Sequence, residues 1–326
     1  MLEPTKACIH LRVVNLRHYR VGAKVSAIAI RACILHSSFA IALAPCPHRI
    51  LGLGPSRARQ SFTACTSAHP VAQKHHTSMS STFLTAEWRK LIMAQYAIDP
   101  AILTPWLPSG LELDLYSDPA DPDKEPICYV SLVGFLFDRV RLKGIPIPFH
   151  TRFEEVNLRF YVKRNLPDGT HRRGVVFISE IVPKPAITLV ARVLYGEAYS
   201  TARTLHTWST TPSSVDIRYD WRHHGHWQTV SAHASLQPQP IAPSSIDEFI
   251  TEHYWGYTKR RGGGTGEYGV AHPRWLTYPI LTSQVDADFG SLYGPAFADL
   301  THRQPDHVLL AEGSAIAIRS GSHFSA

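Results

Sequence analysis

The hydrophobic and polar positions of Phe153-Glu154-Glu155-Val156-Asn157-Leu158-Arg159-Phe160-Tyr161-Val162 separate by parity. Read as a strand, Val156, Leu158, Phe160 and Val162 form one wholly apolar face, while Glu155, Asn157, Arg159 and Tyr161 form the other. Asn165-Leu166-Pro167-Asp168-Gly169-Thr170 supplies turn chemistry, and Gly174 to Ile178 resumes as a second strand, which predicts an antiparallel hairpin. The polar row has two readings. It is the wet outer face of a hairpin, or it lines the inside of a curved sheet as a site.

Neighbouring segments extend the β pattern. Trp88 to Tyr96 reads as a strand with mixed faces. Asp99-Pro100 predicts an N-cap and first residue of a short helix over Ala101 to Leu107, ended by Pro108-Ser109-Gly110. Leu111 to Leu115 alternates as a strand. Cys128 to Asp138 is apolar at both parities, which predicts a central strand covered on both faces. Ile187 to Tyr195, Thr204 to Ser209, Asp216 to Arg222 and Trp227 to Ser235 read as further strands. So do Tyr268 to Leu276, Ile280 to Ala287 and His307 to Ile318. Ser245 and Glu248 have capping-box spacing, with Ile246, Phe249, Ile250, His253 and Tyr254 at helical spacing behind them. Many short strands, few helices and no βαβ rhythm predict an α+β, mostly antiparallel architecture.

Charge divides the 326-residue chain in two. Ten of its 33 Lys/Arg and one of its 26 acids, Glu3, lie in residues 1–79. That leaves 23 basic and 25 acidic side chains in residues 80–326, a net of −2. The overall +7 therefore belongs to a leader, and the body offers no basic stripe for nucleic acid. The leader is Arg-, Ser- and Ala-rich and is expected to be disordered. Two origins fit it: a transit peptide, or a stretch upstream of a true start at Met79 that is not normally translated. The body, residues 80–326, is read as one domain, cytoplasmic, or mitochondrial if the leader is a transit peptide. The apolar patch over residues 27–44 is interrupted by Arg31, His36 and a serine pair, so no membrane span is expected. Four of the five cysteines lie in the leader, leaving Cys128 alone in the body and excluding a disulfide framework there.

Candidate chemistry is sparse. Glu155, Asn157 and Arg159 place an acceptor, an amide and a planar cation about 6.6 Å apart per two residues, able to orient a small acid and manage a proton. His223-His224-Gly225-His226 lacks the distant partners of a closed metal site, so no metal is expected, and no cofactor either. The Gly262–Gly266 loop lacks a phosphate loop's lysine and following helix. No Gly-x-Ser-x-Gly elbow exists. Lys184, between two prolines, reads as a loop residue.

Seven motifs taken in order carry a family resemblance over residues 82–320. They are Tyr96-Ala97-Ile98-Asp99-Pro100, Leu107 to Asp114, Val130 to Phe135, Glu155 to Arg159, Arg173 to Phe177, Tyr195-Gly196-Glu197-Ala198-Tyr199 and His272-Pro273-Arg274-Trp275. Together they resemble the YqjF-like family of uncharacterised proteins, which is distantly similar to acetoacetate decarboxylase. The resemblance implies an acetoacetate-decarboxylase-like β-barrel or cone with a few peripheral helices and a central funnel. It implies a funnel arginine at Arg89 and a glutamate at Glu155, and it adds His272 and Trp275 to the candidate ligand-binding residues Arg89, Glu155, Asn157, Arg159 and Tyr161. In the decarboxylase a lysine forms a Schiff base with a β-keto acid. The matching positions here are Ser200 and Thr201, so Schiff-base chemistry is not expected.

Two readings follow. One is a binding protein for a small, carboxylate-bearing molecule. The other is a decarboxylase- or lyase-like enzyme using Glu155, Arg159 and Arg89 for acid–base or electrostatic chemistry. Self-association into a homo-oligomer stays open.

Overall fold

Strand β3 (Tyr129–Leu142) is buried at every position from Tyr129 to Phe137, which its two apolar parities require. One parity, with Val130, Leu132 and Leu136, enters a core shared with Ile217, Tyr219, Trp221 and Val230. The other, with Val133, Phe135 and Phe137, enters a second core with Phe153, Tyr161, Phe249 and Trp275. The computed structural model describes residues 81–260 and 262–325. The leader expected over residues 1–79 lies outside them.

The protein is mostly β. A larger sheet runs β15 (His307–Arg319), β1 (Thr82–Ala97), β3, β4 (Phe153–Asn165), β5 (His171–Val182), β11 (Trp255–Lys259) and β12 (Thr265–Ala271). β12 also pairs back to β15, through Val270 with Ile318 and Ala271 with Ala317, so the chain of hydrogen-bonded neighbours returns to its start. Pairing is antiparallel except for β11 and the short β6 (Tyr199–Thr201), both parallel to β5. A separate four-stranded sheet is built from β7 (Thr204–Thr210), β8 (Ser214–His223), β9 (His226–Ser235) and β14 (Ile280–Asp286). The first core lies between that sheet and one face of the larger one. The second core lies on the larger sheet's other face.

The predicted hairpin forms as read: Val156, Leu158, Phe160 and Val162 all enter the first core. Asp99 caps α1 (Pro100–Leu103) through Ala101 N, with Pro100 at its first position. Ser245 Oγ accepts from Glu248 N at the start of the later helix (Ile246–Thr251), while Glu248 Oε2 reaches back to Ser244 N.

Several elements depart from the sequence reading: β11 was not anticipated, and the strand read over Tyr268 to Leu276 stops at Ala271 and resumes only at Leu276. Residues 187–195 are not a strand. Pro185 starts α2 (Pro185–Val190), which widens into a π-helical turn over Ala191–Tyr195 and stops at Gly196, φ +71°. Proline preorganises a first helical turn, and that outweighs the β-branched composition of Ile187-Thr188-Leu189-Val190. The later helix, α3 (Ile246–Thr251), ends before His253, because Glu252 leaves the helical region at φ −92°, ψ 46°. The stretch between β14 and β15 holds α4 (Phe289–Tyr293), capped by Asp288, and a 3₁₀ segment (Pro295–His302), neither of which the sequence reading anticipated. Phe289, Tyr293, Phe297 and Leu300 seal the end of the first core.

Candidate ligand-binding site

The polar parity of β4 faces the second core and is not wet. Glu155 and Asn157 are each 2 % exposed, and Glu180, their neighbour on β5, 3 %. The hydrophobic drive on Val156, Leu158 and Phe160 toward the first core forces Glu155, Asn157, Arg159 and Tyr161 inward, since parity permits no other choice. Asn157 stands opposite Glu180 in the β4–β5 register. Because β6 runs parallel to β5, Tyr199 lands opposite Glu180, with Glu197 just ahead of it.

Around Glu155 the partners are well defined. Asn157 Nδ2 donates to Glu155 Oε1 at 3.0 Å, and the Tyr199 hydroxyl donates to Oε2 at 3.1 Å. Burial pushes the Glu155 carboxyl up to about 7 against these hydrogen bonds. Burial and the nearby Glu155 push Glu197 up to about 8. Glu180 is raised well above its ordinary value, by burial and by both neighbouring acids. Three carboxyls sharing one dry region cannot all ionise without strong repulsion. Arg159 is the cation among them. Its Nη2 rests 3.5 Å from Met93 Sδ, and it forms no salt bridge among the described residues.

Glu155, Asn157, Arg159, Glu180 and Tyr199 line a partly open cavity of about 70 Å³. Glu155, Asn157, Arg159, Glu180, Tyr199 and His253 provide its polar wall; Trp88, Phe135, Trp255, Tyr268 and Trp275 provide much of the rest. His272 stacks on Trp275 with ring centroids 4.3 Å apart, and Trp275 Nε1 donates to Ser314 Oγ at 2.9 Å. Five residues lining the cavity each carry a buried side-chain atom with no hydrogen-bond partner: Trp88 Nε1, Arg159 Nε, Asn157 Oδ1, Glu180 Oε2 and His253 Nδ1. Buried polar atoms are nearly always paired, so unpartnered atoms gathered on residues of one cavity make it the candidate site. A larger groove of about 650 Å³ crosses the outer face of the four-stranded sheet, past Thr207, Arg218, Ser231 and Gln284. It is open to solvent and gathers none of the orphans.

Five residues expected from the sequence therefore meet at the cavity: Glu155, Asn157, Arg159, His272 and Trp275. Tyr161 does not line it. Its hydroxyl is tied to Ser131 Oγ at 2.5 Å, and its ring packs against His253 at 4.7 Å, one layer behind the wall. Arg89 is also outside, bound to Glu87 at 2.7 Å and within 3.7 Å of Glu312. The cause is a bulge. Lys90 adopts φ +53° and the β1–β3 register shifts between Arg89 and Ile92, so Trp88 and Leu91 both face the cavity and Arg89 is turned away. The carbonyls freed there are taken by the Tyr219 hydroxyl, at 3.2 Å from Arg89 O and 2.9 Å from Lys90 O.

Ser200 and Thr201 lie in β6, and no lysine lines the cavity among the described residues. The sequence reading missed Glu180, Tyr199, Tyr268 and His253 as residues of the cavity. An acid inside the apolar run Phe177 to Val182 was the available signal for Glu180. For His253 there was none, because its spacing matched the core face of a helix. Among the described residues no group of three or more His, Cys, Asp or Glu is placed to hold a metal ion, and no helix is long and apolar enough to cross a membrane.

The fold has solved counterparts. An acetoacetate decarboxylase from Legionella pneumophila aligns over 81 % of this chain and 98 % of its own, with a TM-score of 0.50 at 12 % identity. An acetoacetate decarboxylase-like enzyme from Sphingomonas wittichii RW1 aligns over 80 % and 100 %, with a TM-score of 0.51 at 12 % identity. At that identity the likeness is one of fold. Within that class, residues 85–315 match the family DUF2071, described as an uncharacterized conserved protein, and the chain belongs to it. The uncharacterized protein YqjF of Bacillus subtilis (strain 168) is 26 % identical over 196 residues, covering 58 % of this chain and 72 % of that one.

Proposed function

We propose that the domain binds a small, carboxylate-bearing molecule in the cavity beneath Trp88 and Trp275, without a Schiff-base lysine. One observation carries the reading: Arg159 lines the cavity, forms no salt bridge among the described residues and has an Nε lacking any partner. A carboxylate is the group that a planar guanidinium pairs with best. The larger sheet serves as a barrel or cone whose interior is the binding funnel; the return pairing of β12 onto β15 supports that description.

A second reading, acid–base chemistry on the bound molecule, is favoured by the Glu155 carboxyl, which burial brings to about 7. A group poised near neutral pH can both give and take a proton.

Calorimetric titration of the full chain with three- and four-carbon monocarboxylic acids tests the binding reading, alongside Arg159→Met. The wild type is expected to bind at least one of them and R159M none, with circular dichroism unchanged. A wild-type chain that binds no small acid overturns it, as does an R159M chain that binds equally well.

A further inference from the structure

Asp114 lies at the start of the chain's passage past β4, far in sequence from His253, yet the two side chains meet in the interior. His253 Nε2 lies 3.0 Å from Asp114 Oδ2, and Arg173 Nε lies 2.6 Å from the same oxygen. Burial works against the Asp114 carboxylate, but the hydrogen bonds from His253 and Arg173 outweigh it and hold the group at about 2. Asp114 is therefore an anion that can only accept, so His253 Nε2 carries the hydrogen. Burial also pushes the imidazole down to about 4, which keeps it neutral at ordinary pH. Its Nδ1 is then a lone pair, buried and unpartnered, on a residue that lines the cavity. The tautomer is set by the carboxylate behind it.

Asn157 is fixed in the same way. Its Nδ2 donates to Glu155, so its orphaned Oδ1 can only accept. Asn157, Arg159 and Tyr161 follow one another on one face of β4, about 6.6 Å apart, and His253 packs on the Tyr161 ring. The cavity wall thus reads acceptor, cation, acceptor: Asn157, Arg159, His253. A plain or oxo acid satisfies neither Asn157 Oδ1 nor His253 Nδ1. We propose that the molecule bound here is a small acid carrying a hydroxyl or amino hydrogen-bond donor on the carbon next to its carboxylate or one further, held between Arg159 and the Asp114–His253 pair. This rests on the carboxylate-binding reading above. The cavity volume of about 70 Å³ limits the molecule to a few carbons. Asp114 acts as a positioning residue, since it touches the ligand only through His253.

The experiment is a matched titration of the full chain. Lactate is compared with pyruvate, 3-hydroxybutyrate with acetoacetate, and alanine and 3-aminobutyrate form a third arm. At least one donor-bearing acid is expected to bind about tenfold or more tightly than its oxo counterpart, because a site with acceptors left unpaired rejects the analogue lacking the donor. Whether the hydroxy or the amino arm binds best identifies the donor. In ¹⁵N NMR, His253 Nδ1 is expected to be unprotonated in the empty protein and to shift on adding the donor-bearing acid alone. Asp114→Asn should reduce the preference for donor-bearing acids. Equal affinity for oxo and hydroxy acids, with both lost in R159M, overturns the inference and leaves the carboxylate reading standing. Protonated Nδ1 in the empty protein overturns it even if no variant folds. Failure of every acid to bind removes both readings.

Discussion

The carbonyl oxygen of Trp88 occupies the space that a side chain on Gly313 would need: a Cβ built there falls 2.0 Å from that oxygen. Gly313 also sits at φ +80°, opposite Arg89 in the β1–β15 register. The contact lies at the bulge that turns Trp88 into the cavity and Arg89 away from it. Gly313→Ala is expected to cost about 3 kcal/mol or more, combining left-handed backbone strain with a clash against backbone that cannot rotate aside. Gly144→Ala is the control, since Gly144 has a similar φ of +81° with nothing within 4 Å. It should cost only about 1 kcal/mol of strain. Urea denaturation of the two variants checks the difference; equal losses would show that the close approach to Trp88 carries no energy.

Glu155 titrates in the opposite sense to an ordinary salt-bridged acid. Its folded value, about 7, lies above the 4.5 of an unperturbed glutamate. Between those values the folded chain holds a proton that the unfolded chain has released, so stability falls as pH rises through the window. The contribution is fully present below 4.5 and gone above 7. One unit of pKa corresponds to about 1.4 kcal/mol, so the wild type should lose up to about 3 kcal/mol relative to Glu155→Gln between pH 4.5 and 7. Paired denaturation curves across that range read the difference directly. A gap that stays constant with pH means that Glu155 is not protonated in the folded state.

Much of this site was legible at the level of parity. Period-two patterning in β4 is unambiguous because Val156, Leu158, Phe160 and Val162 leave only one face to bury outward, and the Asp168-Gly169 turn sets where the strand ends. Burial of Glu155 and Asn157 then follows once the sheet curves around them. Position lost to local geometry was not legible. Arg89 has the parity of Leu91 and Met93, but one inserted residue, Lys90 at φ +53°, reverses it, and a lysine carries no sign that its backbone will be left-handed. The same limit hid His253: its helical spacing from Phe249 and Ile250 was real, but the helix ends two residues earlier and drops the imidazole onto Asp114. Residues 187–195 failed differently. Local β propensity there competed with a helix start at Pro185, and the proline prevailed.

Asp114→Asn tests the energetics of the buried cluster separately from ligand preference. The substitution leaves Arg173 without its anion, although Arg173 is partly exposed and keeps its packing over the Phe249 ring at 4.8 Å. A loss of about 3 kcal/mol is expected, the lower end for breaking a buried pair. The loss should itself depend on pH. Asp114 is depressed from 3.8 to about 2, so its contribution is present above 3.8 and disappears as pH falls through 2. Wild type and D114N should therefore converge in acid. Persistence of the full difference at pH 2 would assign it to packing instead of charge.

Borohydride trapping addresses the chemistry that the fold's relatives bring to mind. A Schiff base needs a lysine whose Nζ is unprotonated and within reach of the carbonyl carbon. Lys90, although on a cavity-forming strand, sits at the bulge with its Nζ bound to Glu312 and the Tyr278 hydroxyl. Lys184 stands at the N-terminus of α2, and the β6 positions facing β5 are Ser200 and Thr201. Incubation with acetoacetate or pyruvate and borohydride, followed by intact-mass measurement, is therefore expected to leave the protein mass unchanged. A single stoichiometric adduct mapped to any lysine between residues 81 and 325 would place an amine in the cavity during turnover and restore Schiff-base chemistry.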